Sequence, residues 1–289
     1  MEDVWDQVEH CYTESNGTRI HYVTLGEGEP VVFVHGFPDF WYSWRHQMAT
    51  LAPHFKVIAI DMRAYNLSDK PDGIDNYKME HLLGDIRAVI RDVEEEKVTL
   101  VGHDWGGAIS WHFAMRHQEQ VERLIIMNLT HPKGYSAVVA NPTPQQKANL
   151  QYARDFASSS PRGEPVPEWV LARDVQEGNG LVEERYREAL SRSYWDGMMN
   201  YYRANYVEML AEVDPDTITD ITCPVLQFHG LKDIAVDADG LKDTWSLVTQ
   251  DYSLVTTPAA GHFVQREAKD LVSLTMKSWL LARPRHSAG

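Results

Sequence analysis

One aspartate, placed between an apolar run and a helical pattern, constrains this chain more than any other feature. Residues 98–101 are largely apolar and β-branched, which predicts a buried strand. Residues 108–114 have the spacing of a helix. Between them stands Asp104, with Gly102 two positions before it and Gly106 two positions after it. Small neighbours let a backbone turn sharply, so this layout predicts a nucleophile elbow, which holds one side chain out at the top of a sheet.

The nucleophile in such a turn is usually a serine, so an aspartate changes the expected chemistry. A carboxylate is already ionised at pH 7 and needs no base to become a nucleophile. Its attack on carbon leaves an alkyl ester, so the substrate should carry an electrophilic sp³ carbon and a leaving group. An isolated aspartate at a strand-to-helix junction is more often only an N-cap. The two glycines and the three loops described below favour the nucleophile for Asp104.

An alternation of apolar runs with helical patterns predicts an α/β fold with a mostly parallel sheet flanked by helices. The runs that predict strands lie at residues 30–34, 57–60, 98–101, 124–127, 224–228 and 253–256. The helical patterns lie at residues 41–51, 79–93, 107–117 and 267–282. Near the start of the chain, the pair Asn16-Gly17 between two β-rich stretches predicts an antiparallel hairpin.

The strand pattern stops in the middle of the chain, where residues 130 to about 219 show only loops and helical runs. We expect helices there at residues 145–156, 182–192 and 196–213. The predicted domains are therefore a first part of an α/β core, a helical cap and a second part of the core, at residues 1–130, 131–219 and 220–289. In such sheets ligands bind beyond the carboxyl ends of the strands, so the cap should close a pocket over Asp104.

Composition excludes several classes of function. The chain carries 27 Lys and Arg against 42 Asp and Glu, a formal net charge of −15, which is unfavourable for binding nucleic acid or an anionic membrane. No apolar run is long enough to span a membrane, and the acidic start lacks the pattern of a signal peptide. The two cysteines, Cys11 and Cys223, form no disulfide framework or zinc spacing. We therefore expect a soluble, cytoplasmic protein whose partner is a small molecule.

Three loops that follow predicted strands carry groups suited to work with Asp104. The first is residues 35–38, with the sequence HGFP. A glycine and a proline in such a turn can aim a backbone N–H into the site, so the N–H groups of Phe37 and Trp105 would form an oxyanion hole. An isolated motif of this kind is about as often an ordinary strand-ending turn.

The other two loops supply an acid and a histidine. Asp233 lies in residues 230–233 (GLKD), and His262 lies in residues 260–263 (AGHF). Taken alone, the first is more simply a solvated loop acid and the second a structural histidine. Together with Asp104 they follow the chain order nucleophile, acid, histidine, which is the order of the triads in α/β-hydrolases. Asp237 is the next candidate for the acid.

On these motifs the chain resembles an α/β-hydrolase of the epoxide hydrolase type over essentially its whole length. The matching stretches are residues 35–38 (HGFP), 41–45 (WYSWR), 61–63 (DMR), 68–71 (SDKP), 102–107 (GHDWGG) and 261–263 (GHF). The match is strongest before residue 132 and weaker in the cap. One departure is Ala64, where the family usually has glycine, and a backbone position that needs φ > 0 would put strain on this alanine.

The resemblance implies a mechanism and two further site residues. In the family two cap tyrosines bind the epoxide oxygen, which needs a donor because ring opening generates an alkoxide. The corresponding residues here are Tyr152 and Tyr202. Asp104 would attack the less hindered epoxide carbon, and His262, oriented by Asp233, would activate the water that hydrolyses the ester to a vicinal diol. No cofactor or metal is expected, and the resemblance implies a substrate pocket with Phe37, Trp105, Tyr152, Tyr202 and Phe263.

Two alternatives stay open. A haloalkane or haloacetate dehalogenase uses the same aspartate nucleophile; Trp105 is compatible with both reactions, whereas the two tyrosines and Phe37 favour an epoxide. A non-catalytic small-molecule receptor on a hydrolase fold is an alternative of a different class. The intact set of Asp104, Asp233 and His262 argues against lost chemistry. Both a monomer and a homodimer are compatible with the sequence.

Overall fold

A single eight-stranded sheet forms the centre of the computed structural model, which describes residues 3–172, 180–210 and 218–285. The strands are β1 (Glu9–Ser15), β2 (Thr18–Leu25), β3 (Pro30–Val34), β4 (Lys56–Ile60), β5 (Val98–His103), β6 (Val121–Met127), β7 (Val225–Gly230) and β8 (Tyr252–Thr257). Their spatial order is β1-β2-β4-β3-β5-β6-β7-β8. The first two pairings, β1 with β2 and β2 with β4, are antiparallel, and all later pairings are parallel. The predicted mostly parallel sheet is confirmed.

The central strands are buried along their whole length because helices cover both of their faces. Every residue of β3, β5 and β7 is buried, as expected for parallel strands inside an α/β fold. The edge strand β8 is instead half exposed along most of its length. In the predicted hairpin, Asn16 and Gly17 have φ of 51° and 79°, and two positive φ values in succession are what a type I′ turn requires.

Helices lie on both sides of the sheet and fill the long connection between β6 and β7. Those of the core are α1 (Arg45–Leu51), α2 (Met79–Asp92), α3 (Trp105–Arg116), α10 (Val264–Glu267) and α11 (Lys269–Leu281). Those between β6 and β7 are α4 (Pro132–Ala140), α5 (Pro144–Asn149), α6 (Gln151–Ser158), α7 (Glu168–Leu171), α8 (Gly180–Ser191) and α9 (Trp195–Leu210). Across the described ranges, no helix combines the length and the apolar character needed to cross a membrane.

The helical insertion differs from the sequence-based expectation in three places, one of which is the short helix α7, which was not predicted. Helix α4 was not predicted, because the stretch around Pro132 reads as a loop. The proline starts the helix, and the ring of His131 caps it by accepting a hydrogen bond from Lys133 N (3.2 Å). The helix predicted at 145–156 is two helices that meet at Leu150.

The boundaries of two predicted core helices differ from those in the structure. The helix predicted at 41–51 begins as a 3₁₀ helix over Trp41–Trp44, and α10 precedes the helix predicted at 267–282. Residues 211–213 of the last predicted cap helix lie outside the described part of the chain. The domain boundaries at 130 and 219 stay a prediction.

Ala64, the departure from the family pattern, adopts φ of 73° and is fully buried. An alanine in this region costs about 1–2 kcal/mol relative to ordinary backbone. Its carbonyl accepts a hydrogen bond from Tyr194 N (2.8 Å) just before α9. A Cβ placed on Gly197, in the first turn of α9, would lie 2.5 Å from the Cβ of Ala64. The glycine therefore makes room for the alanine methyl.

Replacing Gly197 by alanine should destabilise the protein by about 1–3 kcal/mol, because overpacking at this contact forces the backbone or the methyl to move. In an Ala64→Gly background the same replacement should cost at least about 0.5 kcal/mol less. Urea unfolding of the four proteins of this double-mutant cycle measures the difference, and the gain in helix propensity cancels within the cycle. Equal costs in both backgrounds would show that another neighbour, such as the Tyr77 hydroxyl at 2.6 Å, imposes the glycine.

Candidate active site

Asp104 occupies a sharp turn between the end of β5 and the start of α3, with φ of 51° and ψ of −122°. Two glycines make this turn sterically possible. A Cβ on Gly102 would lie 2.3 Å from the carbonyl oxygen of Gly106, and a Cβ on Gly106 would lie 2.1 Å from that of Val34. Strand β5, helix α3 and strand β3 therefore touch through their backbones, and the predicted elbow is the observed geometry.

The loop after β3 brings a hydrogen-bond donor to the aspartate. The N–H of Phe37 donates to Oδ1 of Asp104 at 2.7 Å. A Cβ on Gly36 would lie 2.4 Å from the same carboxylate, so the glycine is what allows the loop to come this close. The N–H of Trp105 makes no hydrogen bond with this carboxylate among the described contacts, and its part in an oxyanion hole stays a prediction.

His35 fixes the conformation of this loop through two contacts with backbone atoms. Its Nδ1 lies 2.8 Å from the carbonyl oxygen of Gly36, and its Nε2 accepts a hydrogen bond from Met62 N at 3.1 Å. An acceptor role for Nε2 requires a neutral ring with the proton on Nδ1. Full burial lowers the pKa of His35, which agrees with that neutral form.

His262 lies between two carboxylates. Its Nε2 is 3.4 Å from Oδ2 of Asp104, and its Nδ1 is 2.8 Å from Oδ2 of Asp233. The three residues come from the ends of β5, β7 and β8, which end at the same edge of the sheet. The structure thus brings together the three residues that the chain order suggested, with the histidine in contact with both acids.

Asn128, at the end of β6, supports the Asp233 carboxylate and was missed as a site residue in the sequence. Its Nδ2 donates to Oδ2 of Asp233 at 2.7 Å, and its Oδ1 accepts from Gly230 N at 3.2 Å. The other carboxylate oxygen accepts from Ala235 N at 2.7 Å. Nothing in the local sequence distinguishes Asn128, because the pairing of β6 with β7 is what places it beside the acid.

These contacts determine the charges of the three residues. Burial alone would lower the pKa of His262, but the carboxylates of Asp233 and Asp104 outweigh it and raise that pKa to about 10. Burial would raise the pKa of Asp233, but His262 and Asn128 hold it at about 2. The pKa of Asp104 is lowered against the effect of burial, chiefly by His262. At neutral pH the site therefore contains two carboxylates with an imidazolium between them.

The two predicted tyrosines face each other over the elbow from different helices. Tyr152 lies on α6 and Tyr202 on α9, with ring centroids 6.4 Å apart. The Tyr202 ring also packs at 5.0 Å against Trp105. Burial within the site and the charge of Asp104 raise the pKa of both phenols above the usual value, although the Tyr152 residue stays 36% exposed. Both phenols are therefore protonated at neutral pH and can donate.

Asp104 lies in the wall of a cavity of about 370 Å³, a volume that includes space open to solvent. Its lining residues are Asp104, Trp105, Ala108, Leu129, Tyr135, Tyr152, Ala153, Tyr202, Tyr206, Ala235 and Val236. Tyr135 and Tyr206 were not predicted. The second could have been found, because it follows Tyr202 by four positions and shares its helix face; the first lies on the unpredicted α4.

Two residues predicted for the pocket lie beside it. The ring of Phe37 packs against those of Tyr202 at 5.8 Å and Phe156 at 5.7 Å. The ring of Phe263 packs against His103 at 5.3 Å, with the guanidinium of Arg266 4.3 Å from its centroid. Neither phenylalanine is among the residues that line this cavity in the described part of the chain.

Known proteins share this architecture. The model of the family described as alpha/beta hydrolase fold matches residues 29–269. Epoxide hydrolase 2 of Caenorhabditis elegans is 30% identical over 295 residues, covering 94% of this chain and 79% of that protein. The AB hydrolase superfamily protein YfhM of Bacillus subtilis is 31% identical over 287 residues, covering 95% of this chain and 99% of that protein. The crystal structure of Bacillus megaterium epoxide hydrolase with an inhibitor superposes with a TM-score of 0.82 at 28% identity, covering 94% of this chain and 100% of that one.

The charge arrangement predicts how His262 titrates. In the wild type the ring should stay protonated as pH rises until about 10. Asp104→Asn removes one of its two carboxylates at nearly constant shape, so the pKa should fall by about 1–3 pH units. NMR of the ring nitrogens measures this, with intact mass confirming that the amide survives. Asp237→Asn, which removes a charge from the same end of the sheet, is the matched control and should leave the titration in place. Equal titration in both variants would refute the arrangement.

Proposed function

Because the chain belongs to the α/β-hydrolase fold family and, within it, to the epoxide hydrolases, we propose that it hydrolyses epoxides to vicinal diols through a covalent ester on Asp104. The observation that carries the proposal is a carboxylate at the elbow with two protonated phenols beside it in one cavity. A carboxylate can attack a strained ring carbon and form an alkyl ester, and a phenol can protonate the oxygen that leaves.

The first step forms the ester. The Asp104 oxygen Oδ2 attacks the less hindered epoxide carbon, since Oδ1 is held by the N–H of Phe37. The carbon–oxygen bond of the ring breaks, and its oxygen takes a proton from Tyr202 or Tyr152. Esterification removes the negative charge of Asp104, so the pKa of His262 falls. The proton that His262 then releases restores the one that the phenol has given away.

The second step hydrolyses the ester. Neutral His262, held by Asp233 at 2.8 Å, takes a proton from water, and the resulting hydroxide attacks the carbonyl carbon of the ester. The N–H groups of Phe37 and Trp105 stabilise the oxyanion. Collapse of this intermediate breaks the ester bond, and the proton on His262 moves to the diol oxygen. The new Asp104 carboxyl then ionises and protonates His262 again.

A dehalogenase is the second candidate, because Trp105 lies in the cavity with the carboxylate. A halide leaves as an anion and needs no proton, so this reaction does not use the two phenols. Four tyrosines line the cavity: Tyr135, Tyr152, Tyr202 and Tyr206. This donor-rich wall favours an epoxide. Measuring halide release against diol formation on aryl, aliphatic and cyclic substrates separates the two reactions. If the protein is a non-catalytic receptor, neither halide nor diol should form.

We also propose a cytoplasmic location, since Cys11 and Cys223 are both free thiols and free thiols persist in a reducing compartment. We further propose that one copy of the chain is enough for the reaction, because Asp104, Asp233 and His262 lie within contact of one another in it; a monomer and a homodimer are both compatible with this.

Asp104→Ala should abolish turnover and leave the fold intact, because the side chain stands at the cavity rather than in the hydrophobic core. In a single turnover of excess wild-type enzyme in ¹⁸O-water, the label should appear in Asp104 and not in the diol, since water attacks the ester carbonyl. Mass spectrometry of the peptide and of the diol measures both. Label found directly in the diol would mean that water attacks the epoxide itself.

Tyr202→Phe and Tyr152→Phe should each slow ester formation and leave ester hydrolysis unchanged, because the phenol is needed only when the epoxide bond breaks. Loss of one donor to a developing oxyanion commonly costs about 10²–10³-fold, and we expect the lower end because the second phenol remains. Stopped-flow tryptophan fluorescence follows ester formation, because Trp105 adjoins Asp104 in the sequence. Tyr12→Phe, which removes an exposed hydroxyl on β1 away from the cavity, is the control with unchanged chemistry. A Tyr202→Phe enzyme with normal ester formation would contradict the role of Tyr202.

A further inference from the structure

The loop that carries His262 is held through its backbone on both sides of the histidine. The carboxylate of Glu267, in α10, accepts hydrogen bonds from Gly261 N at 2.6 Å and from Phe263 N at 3.0 Å. The Nε2 of His103 lies 2.8 Å from the carbonyl oxygen of His262 itself. Two side chains thus bind three consecutive backbone groups around the histidine.

His103 can hold this carbonyl in only one tautomer. A carbonyl oxygen accepts and never donates, so the ring proton must lie on Nε2. Burial and the neighbouring His262 lower the pKa of His103 to about 4, so the ring is neutral at physiological pH. Its ring also packs at 4.9 Å against the ring of His262. His103 therefore links the end of β5 to the loop after β8 by a donated hydrogen bond and a ring contact.

Among the described contacts, neither side chain hydrogen-bonds to the imidazole of His262 or to the Asp104 carboxylate, and His103 meets the imidazole only through the ring contact. His103 points to the backbone of His262, and Glu267 is exposed on the outer side of the loop. Their effect must therefore pass through the position of the imidazole. That position matters because Nε2 lies 3.4 Å from the Asp104 carboxylate, and in the second step it must hold a water within reach of the ester carbonyl carbon. A displacement of 1 Å at such a site can cost about 10²-fold in rate.

We propose that His103 and Glu267 are positioning residues that hold the His262 backbone for ester hydrolysis and contribute nothing to ester formation. This proposal rests on the proposed two-step function. In a two-step scheme with irreversible ester formation, kcat/KM reports only the steps up to the ester. Slowing ester hydrolysis then lowers kcat and KM together and leaves kcat/KM unchanged. A loss of folded enzyme lowers kcat at constant KM, and a distorted elbow lowers kcat/KM.

The test measures kcat, KM and acid-trapped ester for Glu267→Gln and Glu267→Ala on the best epoxide of the substrate panel. We expect kcat and KM to fall together by about tenfold, less than the cost of a full 1 Å displacement, and the Asp104 ester to accumulate by intact mass. Asp270→Asn is the matched control, because it removes an exposed carboxylate three positions along the chain and should behave as the wild type.

His103 provides a second, independent pair of variants. Gln places its Nε2 donor near the position of the histidine Nε2, whereas Met fills similar space without a donor. His103→Gln should therefore retain kcat better than His103→Met, with the ester accumulating in the second. Unchanged kinetics in the Glu267 variants, or a fall in kcat/KM without trapped ester, would overturn the proposal. A wild type that turns over epoxides without any Asp104 ester would instead overturn the two-step function.

Discussion

The structure depends on a close backbone approach at one point, where β3, β5 and α3 meet around Asp104. Gly102 and Gly106 leave no room for a side chain between these elements. The approach forces the aspartate into a conformation that L-residues rarely adopt, and strain of this kind persists only where the surrounding structure over-determines it. The result is a carboxylate that projects beyond the end of the sheet from a rigid backbone, which is what the proposed nucleophile requires.

The charge of that carboxylate then organises the rest of the site. One buried carboxylate near a histidine would make an ion pair, but His262 has two, at Asp104 and Asp233. The second carboxylate keeps the imidazole oriented when the first becomes an ester and loses its charge. A site with this arrangement changes the basicity of its histidine by its own chemistry, without moving any residue. In the proposed cycle, this change in basicity determines when His262 releases a proton and when it takes one up.

The elbow and the central strands could be predicted from the sequence because their signals are local. Glycine spacing, apolar runs and the Asn16-Gly17 pair each act within a few residues of the structure that they specify. Glu267 lies within six residues of both its partners, Gly261 and Phe263, yet its residue type does not distinguish it from the other acids of the chain. Asn128 and His103 could not be found in this way, because each hydrogen-bonds to a strand end or loop that only the sheet order brings near. An isolated sequence contains no signal for such a pairing, whatever the residue type.

The adjacent residues Tyr201 and Tyr202 show how the fold decides which phenol lies in the cavity. The hydroxyl of Tyr201 donates to the carbonyl oxygen of Arg63 at 2.9 Å and is fully buried. This bond attaches α9 to the loop that contains the strained Ala64, and it fixes the rotation of the helix that turns Tyr202 toward Asp104. Ala64 is distant from Asp104 along the chain, but its loop reaches Tyr202 through α9. Strain at one buried alanine therefore bears on where the proposed proton donor lies.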